Sequence, residues 1–122
     1  MSGLPDAQRW LESRLRMAPP ELEDEVRALV GEAAARGAVP PLGGGAIADL
    51  LATAGLLGLD EVVATPGGRE SALRLLAADA ALTCAFEAAA ETGGDVGRLC
   101  ASVGPAGLLG RRLAGIGRED GA

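Results

Sequence analysis

The chain has no histidine, lysine, tyrosine or asparagine, and only one tryptophan and one phenylalanine. These gaps remove most familiar catalytic chemistry. Without histidine there is no Ser-His-Asp triad, no Cys-His dyad and no imidazole ligand for zinc or haem. Without lysine there is no Schiff base and no phosphate-binding P-loop lysine. Without tyrosine there is no phenolic acid. The two cysteines, Cys84 and Cys100, are 16 residues apart. That spacing suits neither a disulfide framework nor a zinc knuckle, and both read as reduced apolar residues. Carboxylate, arginine, hydroxyl and thiol are what remains. The sequence therefore leads us to expect a non-enzymatic protein with no catalytic residue, no metal and no cofactor.

Charge narrows the partners. All 11 basic residues are arginines; against 17 acids they leave a net charge of −6. A nucleic-acid binder needs a basic face to offset phosphate repulsion, and Trp10 and Phe86 are too few for base stacking along a single strand. No basic N-terminal segment leads into a hydrophobic run. The longest uncharged runs, 37–48 and 99–110, fall well short of the ~20 residues of a membrane helix. The expectation is a cytoplasmic protein with no nucleic-acid partner and no membrane insertion. At 122 residues the chain reads as one helical domain over 1–116, with a disordered tail over 117–122.

What the chain does have is alanine (25) and leucine (19), both strong helix formers. From about 69 to 92 no glycine or proline interrupts them. At 100° per residue, Leu75, Leu82, Phe86 and Ala89 fall on one side of this stretch, and Leu73, Ala77, Ala80 and Cys84 fall roughly opposite. A helix apolar on two sides belongs between other elements. The fold class is all-α, a compact bundle of five to six short helices around this central buried helix.

The remaining helices follow from their breaks. One begins near Pro5, with Asp6 at its positive end, and carries Ala7, Leu11, Leu15 and Ala18 at helical spacing with Trp10 and Met17 along one edge. Pro19-Pro20 ends it and opens a second helix running to about Arg36, where Gly37 stops it. Leu22, Val26, Leu29, Val30 and Ala33 form its apolar stripe, and Glu23–Arg27 and Glu32–Arg36 have the spacing of helical ion pairs. A proline- and glycine-rich loop over 39–45 leads to a third helix, 46–57, with Ile47, Leu50, Leu51, Ala54 and Leu57 inward and Asp49 outward. A separate short helix is expected over 60–64. Beyond Gly93-Gly94, Asp95 caps another short helix bearing Val96, Leu99, Cys100 and Val103. A last helix spans about 106–114.

A few residues stand out as candidates. Gly43-Gly44-Gly45-Ala46-Ile47-Ala48 matches the dinucleotide pattern G-x-G-x-x-A, but prolines precede it where a strand is needed. The acids of 21–25 read as a solvated, dipole-favoured first turn. Glu87 and Glu91 lie one turn apart on an exposed edge. Asp79 falls beside Leu75, Leu82 and Phe86, where a buried carboxylate would need a partner. With Phe86 and Cys84 it forms the candidate ligand-binding set. The charges are also polarised. Residues 20–37 hold five acids against two arginines, and 96–118 hold four arginines and no acid. Glu21, Glu23, Asp24, Glu25, Arg111 and Arg112 are the candidate interaction residues.

The run Leu75-Leu76-Ala77-Ala78-Asp79-Ala80-Ala81-Leu82-Thr83-Cys84-Ala85-Phe86-Glu87 resembles one helix of the trans-isoprenyl diphosphate synthases, which carry a similar Ala/Leu run with an aspartate, followed by Ala-Phe-Glu. The resemblance implies a similarly packed central helix with Asp79 at the matching aspartate. The Asp-Asp-x-x-Asp magnesium motifs and the lysines of that family are absent here, so no catalytic residue carries over. Two functions follow as expectations. The first is action through a protein partner or self-association, as an accessory subunit or homo-oligomeric module. The second is a small apolar ligand, or an enzyme, with a pocket near Asp79 and Phe86.

Overall fold

The computed structural model describes residues 3–37, 39–112 and 114. Leu113 and the tail expected over 117–122 lie outside them. The described residues are helical and contain no strand: α1 (Gly3–Arg14), α2 (Pro20–Ala35), α3 (Ala46–Ala64), α4 (Gly68–Glu91) and α5 (Val96–Val103). A further helical turn follows at 108–112.

Local chemistry sets the ends. Pro20 opens α2 directly after Pro19, where a missing N–H costs nothing. Arg36 is its C-cap and Gly37 follows at φ 112°. Asp95 caps α5 by accepting a hydrogen bond from the Arg98 amide at 2.9 Å. At the 58–60 break the structure departs from expectation. Residues 60–64 are helical but continue α3 without interruption. Gly58 is a packing position rather than a turn: a Cβ there would stand 2.8 Å from Leu29 Cδ2 and 3.0 Å from the Ala78 Cβ. Gly55 is tighter still, with Leu82 Cγ 2.5 Å from where its Cβ would be. Glycine keeps the helix intact here because the contacts it permits outweigh its weak propensity, worth about 1 kcal/mol.

The centre is the α3–α4 hairpin, the most extensive interface in the molecule, with α1 and α2 laid across it and α5 against α4. α4 buries Ala77, Ala78, Ala81, Cys84, Ala85, Ala88 and Ala89. The two apolar sides expected of it are the two edges of this one alanine face. The opposite face, with Ala72, Leu76, Asp79, Thr83, Glu87 and Ala90, is exposed. Leu75, expected inward, is 46% exposed, and Met17 is fully out in solvent. Alanine occupies the seam because it lets two backbones approach, so the leucines of α4 are displaced to its flanks and outer surface.

Two polar constructions tie the helices together. Arg74, at the N-terminal end of the alanine face, donates from Nη2 to both oxygens of Glu32 at 2.7 and 2.8 Å, from Nε to Glu61 at 2.8 Å and from Nη1 to Glu25 at 3.1 Å. One guanidinium thus joins α2, α3 and α4. Burial works against its charge, but the hydrogen bonds and charges of Glu32 and Glu61 outweigh burial and hold its pKa above the usual arginine value. The expected Glu32–Arg36 pair does not form, because Glu32 is committed to Arg74. Glu23–Arg27 does, at 3.2 Å.

The second construction corrects the reading of Asp49. It is buried, not outward: its carboxylate accepts from the Leu42 amide at 3.0 Å and from the Gly44 amide at 2.9 Å. The expectation failed because hydropathy assigns a carboxylate to solvent, whereas a tight loop with free amides can satisfy one inside.

Candidate functional site

Each candidate residue has a definite place. Asp79 is exposed on the outer face of α4, and its backbone carbonyl accepts from the Thr83 hydroxyl at 3.0 Å. The premise of a buried carboxylate is overturned: Asp79 lies beyond the edge of the alanine face, on the side turned to solvent. Phe86 is half-buried and packed against the core. Cys84 is buried, and its thiol is pushed up to about 11 by burial and by the Glu87 charge, against the opposing pull of Arg14. It is a core thiol and a poor nucleophile. Cys100, expected to be apolar and inward, is exposed.

Several candidate charges are paired within the chain. Glu21 meets Arg69 at 3.0 Å, Glu23 meets Arg27, Glu25 meets Arg74, and Arg112 meets Asp60. Asp24 and Arg111 are exposed. Glu91 pairs with Arg14, whose guanidinium also lies 4.9 Å from the Trp10 ring centroid. Among the described residues no three His, Cys, Asp or Glu side chains converge on a metal position.

The glycine-rich loop is not an open phosphate cradle. The Leu42 and Gly44 amides are donated to Asp49. The Asp95 amide donates to the Gly43 carbonyl at 3.1 Å, clasping the start of α5 to the loop. Gly94 packs so close that a Cβ there would fall 2.0 Å from the Gly44 carbonyl oxygen. An internal carboxylate takes these two loop amides, and among the described residues no strand precedes the motif, as the dinucleotide pattern requires.

The geometry instead offers a cleft on the other side of this loop. It has a volume of about 250 Å³ and lies between the end of α2, the loop at Pro40 and Leu42, one face of α3 and the turn at 108–112. Thr53, Leu56, Leu57 and Asp60 follow one another at helical spacing along α3 and form one wall; Leu108 and Arg112 face them. Two features accompany it. The Thr53 Oγ1 is buried behind the cleft wall and has no hydrogen-bond partner among the described residues. A helical threonine ordinarily bonds back to the carbonyl one turn earlier, as Thr83 and Thr92 do here. The second feature is charge. Arg112 is neutralised by a two-point pair with Asp60 at 2.6 and 3.0 Å. Arg36 has no carboxylate within ion-pair distance among the described residues. The cleft therefore carries one positive charge in excess, on a protein of net charge −6.

Sequence reading missed both this cleft and Arg74. The cleft had no sequence signal, since its walls come from four separate segments. Arg74 had one: it is in phase with Ala78, Ala81 and Ala85, and a lone cation on a core face must find partners. No helix among the described residues is long and apolar enough to cross a membrane. Compared with protein-family models, curated proteins and solved structures, the chain matches none of them.

Proposed function

We propose that this chain is a non-enzymatic binding module whose cleft beside Thr53 takes a small, largely apolar guest. The observation that carries this reading is the cleft itself, walled by Leu42, Leu56, Leu57 and Leu108, with Arg36 at its edge and uncommitted among the described residues. Such sites are generally concave and apolar, with a few polar groups that fix orientation. The depleted catalytic repertoire of the sequence supports binding over turnover.

A second reading, association with a protein partner or a second copy, rests on the outer side of α4. There Leu75 and Leu76 are 46% and 58% exposed, which is unusual for adjacent leucines in mid-helix.

A native mass spectrum of the gently purified chain tests both. The cleft reading expects a monomer with a reproducible small adduct that disappears in Leu108→Trp, whose ring fills the cleft. The association reading expects a dimer or larger species that reverts to monomer in Leu75→Glu/Leu76→Glu. An unadorned monomer that takes up no apolar additive would sink the first reading and leave no support for the second.

A further inference from the structure

We infer that the guest is a monoanionic amphiphile of about eight non-hydrogen atoms, of the medium-chain carboxylate class, with Arg36 as the partner of its head group. This inference rests on the cleft reading and adds the sign, the charge and the size of the ligand.

Size follows from volume. A cleft of about 250 Å³, at about 30 Å³ for one non-hydrogen atom's share of a liquid, holds about eight such atoms. The apolar part has Leu42, Leu56, Leu57 and Leu108 to lie against. Sign and charge follow from the arginines. Arg112 is spent on Asp60 with both oxygens engaged. Arg36 sits at the end of α2 with its guanidinium uncommitted among the described residues, so the cleft offers one positive charge. A dianion would leave a negative charge uncompensated on an already acidic protein, and a cation would face Arg36 itself. A carboxylate accepts from a guanidinium at two points. This fits the one charged group the cleft leaves unused among the described residues.

The test titrates the full-length chain with hexanoate, 1-hexanol and hexylammonium, which share a tail and differ in head group. The readout is the methyl NMR shifts of Leu56, Leu57 and Leu108. Hexanoate is expected to bind at least fivefold tighter than hexanol, and hexylammonium more weakly than either. Raising the salt from low to about 0.5 M should shrink the hexanoate advantage, since the Arg36 charge is exposed and screened. Arg36→Gln should erase that advantage while leaving hexanol affinity unchanged; Arg36 is exposed, so the fold tolerates the change. Equal binding of hexanoate and hexanol at the cleft would overturn the inference about charge and leave the cleft reading standing. Absence of shifts at the cleft with all three would overturn both.

Discussion

One turn apart on α3, Asp49 and Thr53 face opposite fates. Asp49 is charged and buried, and each of its oxygens receives a backbone amide. Thr53 is neutral, and its buried hydroxyl receives nothing. By desolvation alone the aspartate should be the more troublesome residue, since burying a charge costs far more than burying a hydroxyl. It is instead the more secure, because the 42–44 loop is folded around it. The difference separates polar groups that the fold completes from those it leaves open, of which the Thr53 hydroxyl is one and the Trp10 indole N–H another.

The largest expected effect is at the completed group. Asp49→Ala strands two buried amides and removes two charge-assisted bonds, and should cost about 3–4 kcal/mol. Asp49→Asn, which can accept only at one oxygen, should lose about half of that. Urea midpoints at unchanged slope measure both. A loss below 1 kcal/mol for the alanine variant would mean that the loop does not depend on the carboxylate, and the comparison would collapse.

Arg74 is the second completed group, and it tests whether the contrast extends beyond one loop. Arg74→Ala leaves Glu25, Glu32 and Glu61 facing one another without a cation. The half-exposed carboxylates soften the penalty, which should be about 2–3 kcal/mol at neutral pH. Arg74→Lys, a point charge that cannot span three carboxylates, should recover only part of it.

Cys84 is an intermediate case, a buried group that tolerates having no strong partner as long as it stays neutral. Its folded pKa of about 11 stands above the ordinary value of 9.0, so the unfolded chain releases this proton first as pH rises. Stability is therefore full below about pH 9 and falls toward pH 11, by at most about 2 kcal/mol. The window is uncluttered, because the chain has neither lysine nor tyrosine. Cys84→Ala should flatten the fall. Iodoacetamide at pH 8 should modify exposed Cys100 well before Cys84.

The smallest effect is predicted at the open group. Thr53→Val removes a hydroxyl that has no partner, so stability should stay within about 0.5 kcal/mol of the parent or rise slightly. A loss of more than 1 kcal/mol would show that the hydroxyl is satisfied in solution, and the contrast with Asp49 would close.

These effects trace back to what a sequence encodes locally. The ends of α2 and the cap of α5 were legible because Pro19-Pro20, Arg36-Gly37 and Asp95 act on their immediate neighbours. The phase of α4 was not. Alanine is as acceptable outside a helix as inside, so an alanine-rich segment gives little contrast, and the exposed Leu75 drew the apparent apolar direction away from the true seam. Asp79 was placed inside on the strength of Leu75, Leu82 and Phe86. The inward Asp49 depends on a loop that must first fold around it, and the helical continuity through Gly58 depends on Leu29 and Ala78 arriving from other helices. The cleft needs four segments in place before it exists.

The α3–α4 seam also reverses the usual arithmetic of substitution. In an ordinary core, a mutational scan penalises truncation, because removing methylenes opens cavities. On this seam Gly55 and Gly58 meet Ala78, the buried face of α4 beside it adds Ala77, Ala81 and Ala85, and apart from Leu82 there is little to truncate. Damage comes from addition, since even one methyl group at Gly55 would meet Leu82 and the Ala78 carbonyl. Drift at these positions is confined to the smallest side chains, while the surrounding leucines remain free to exchange among aliphatic residues of similar size.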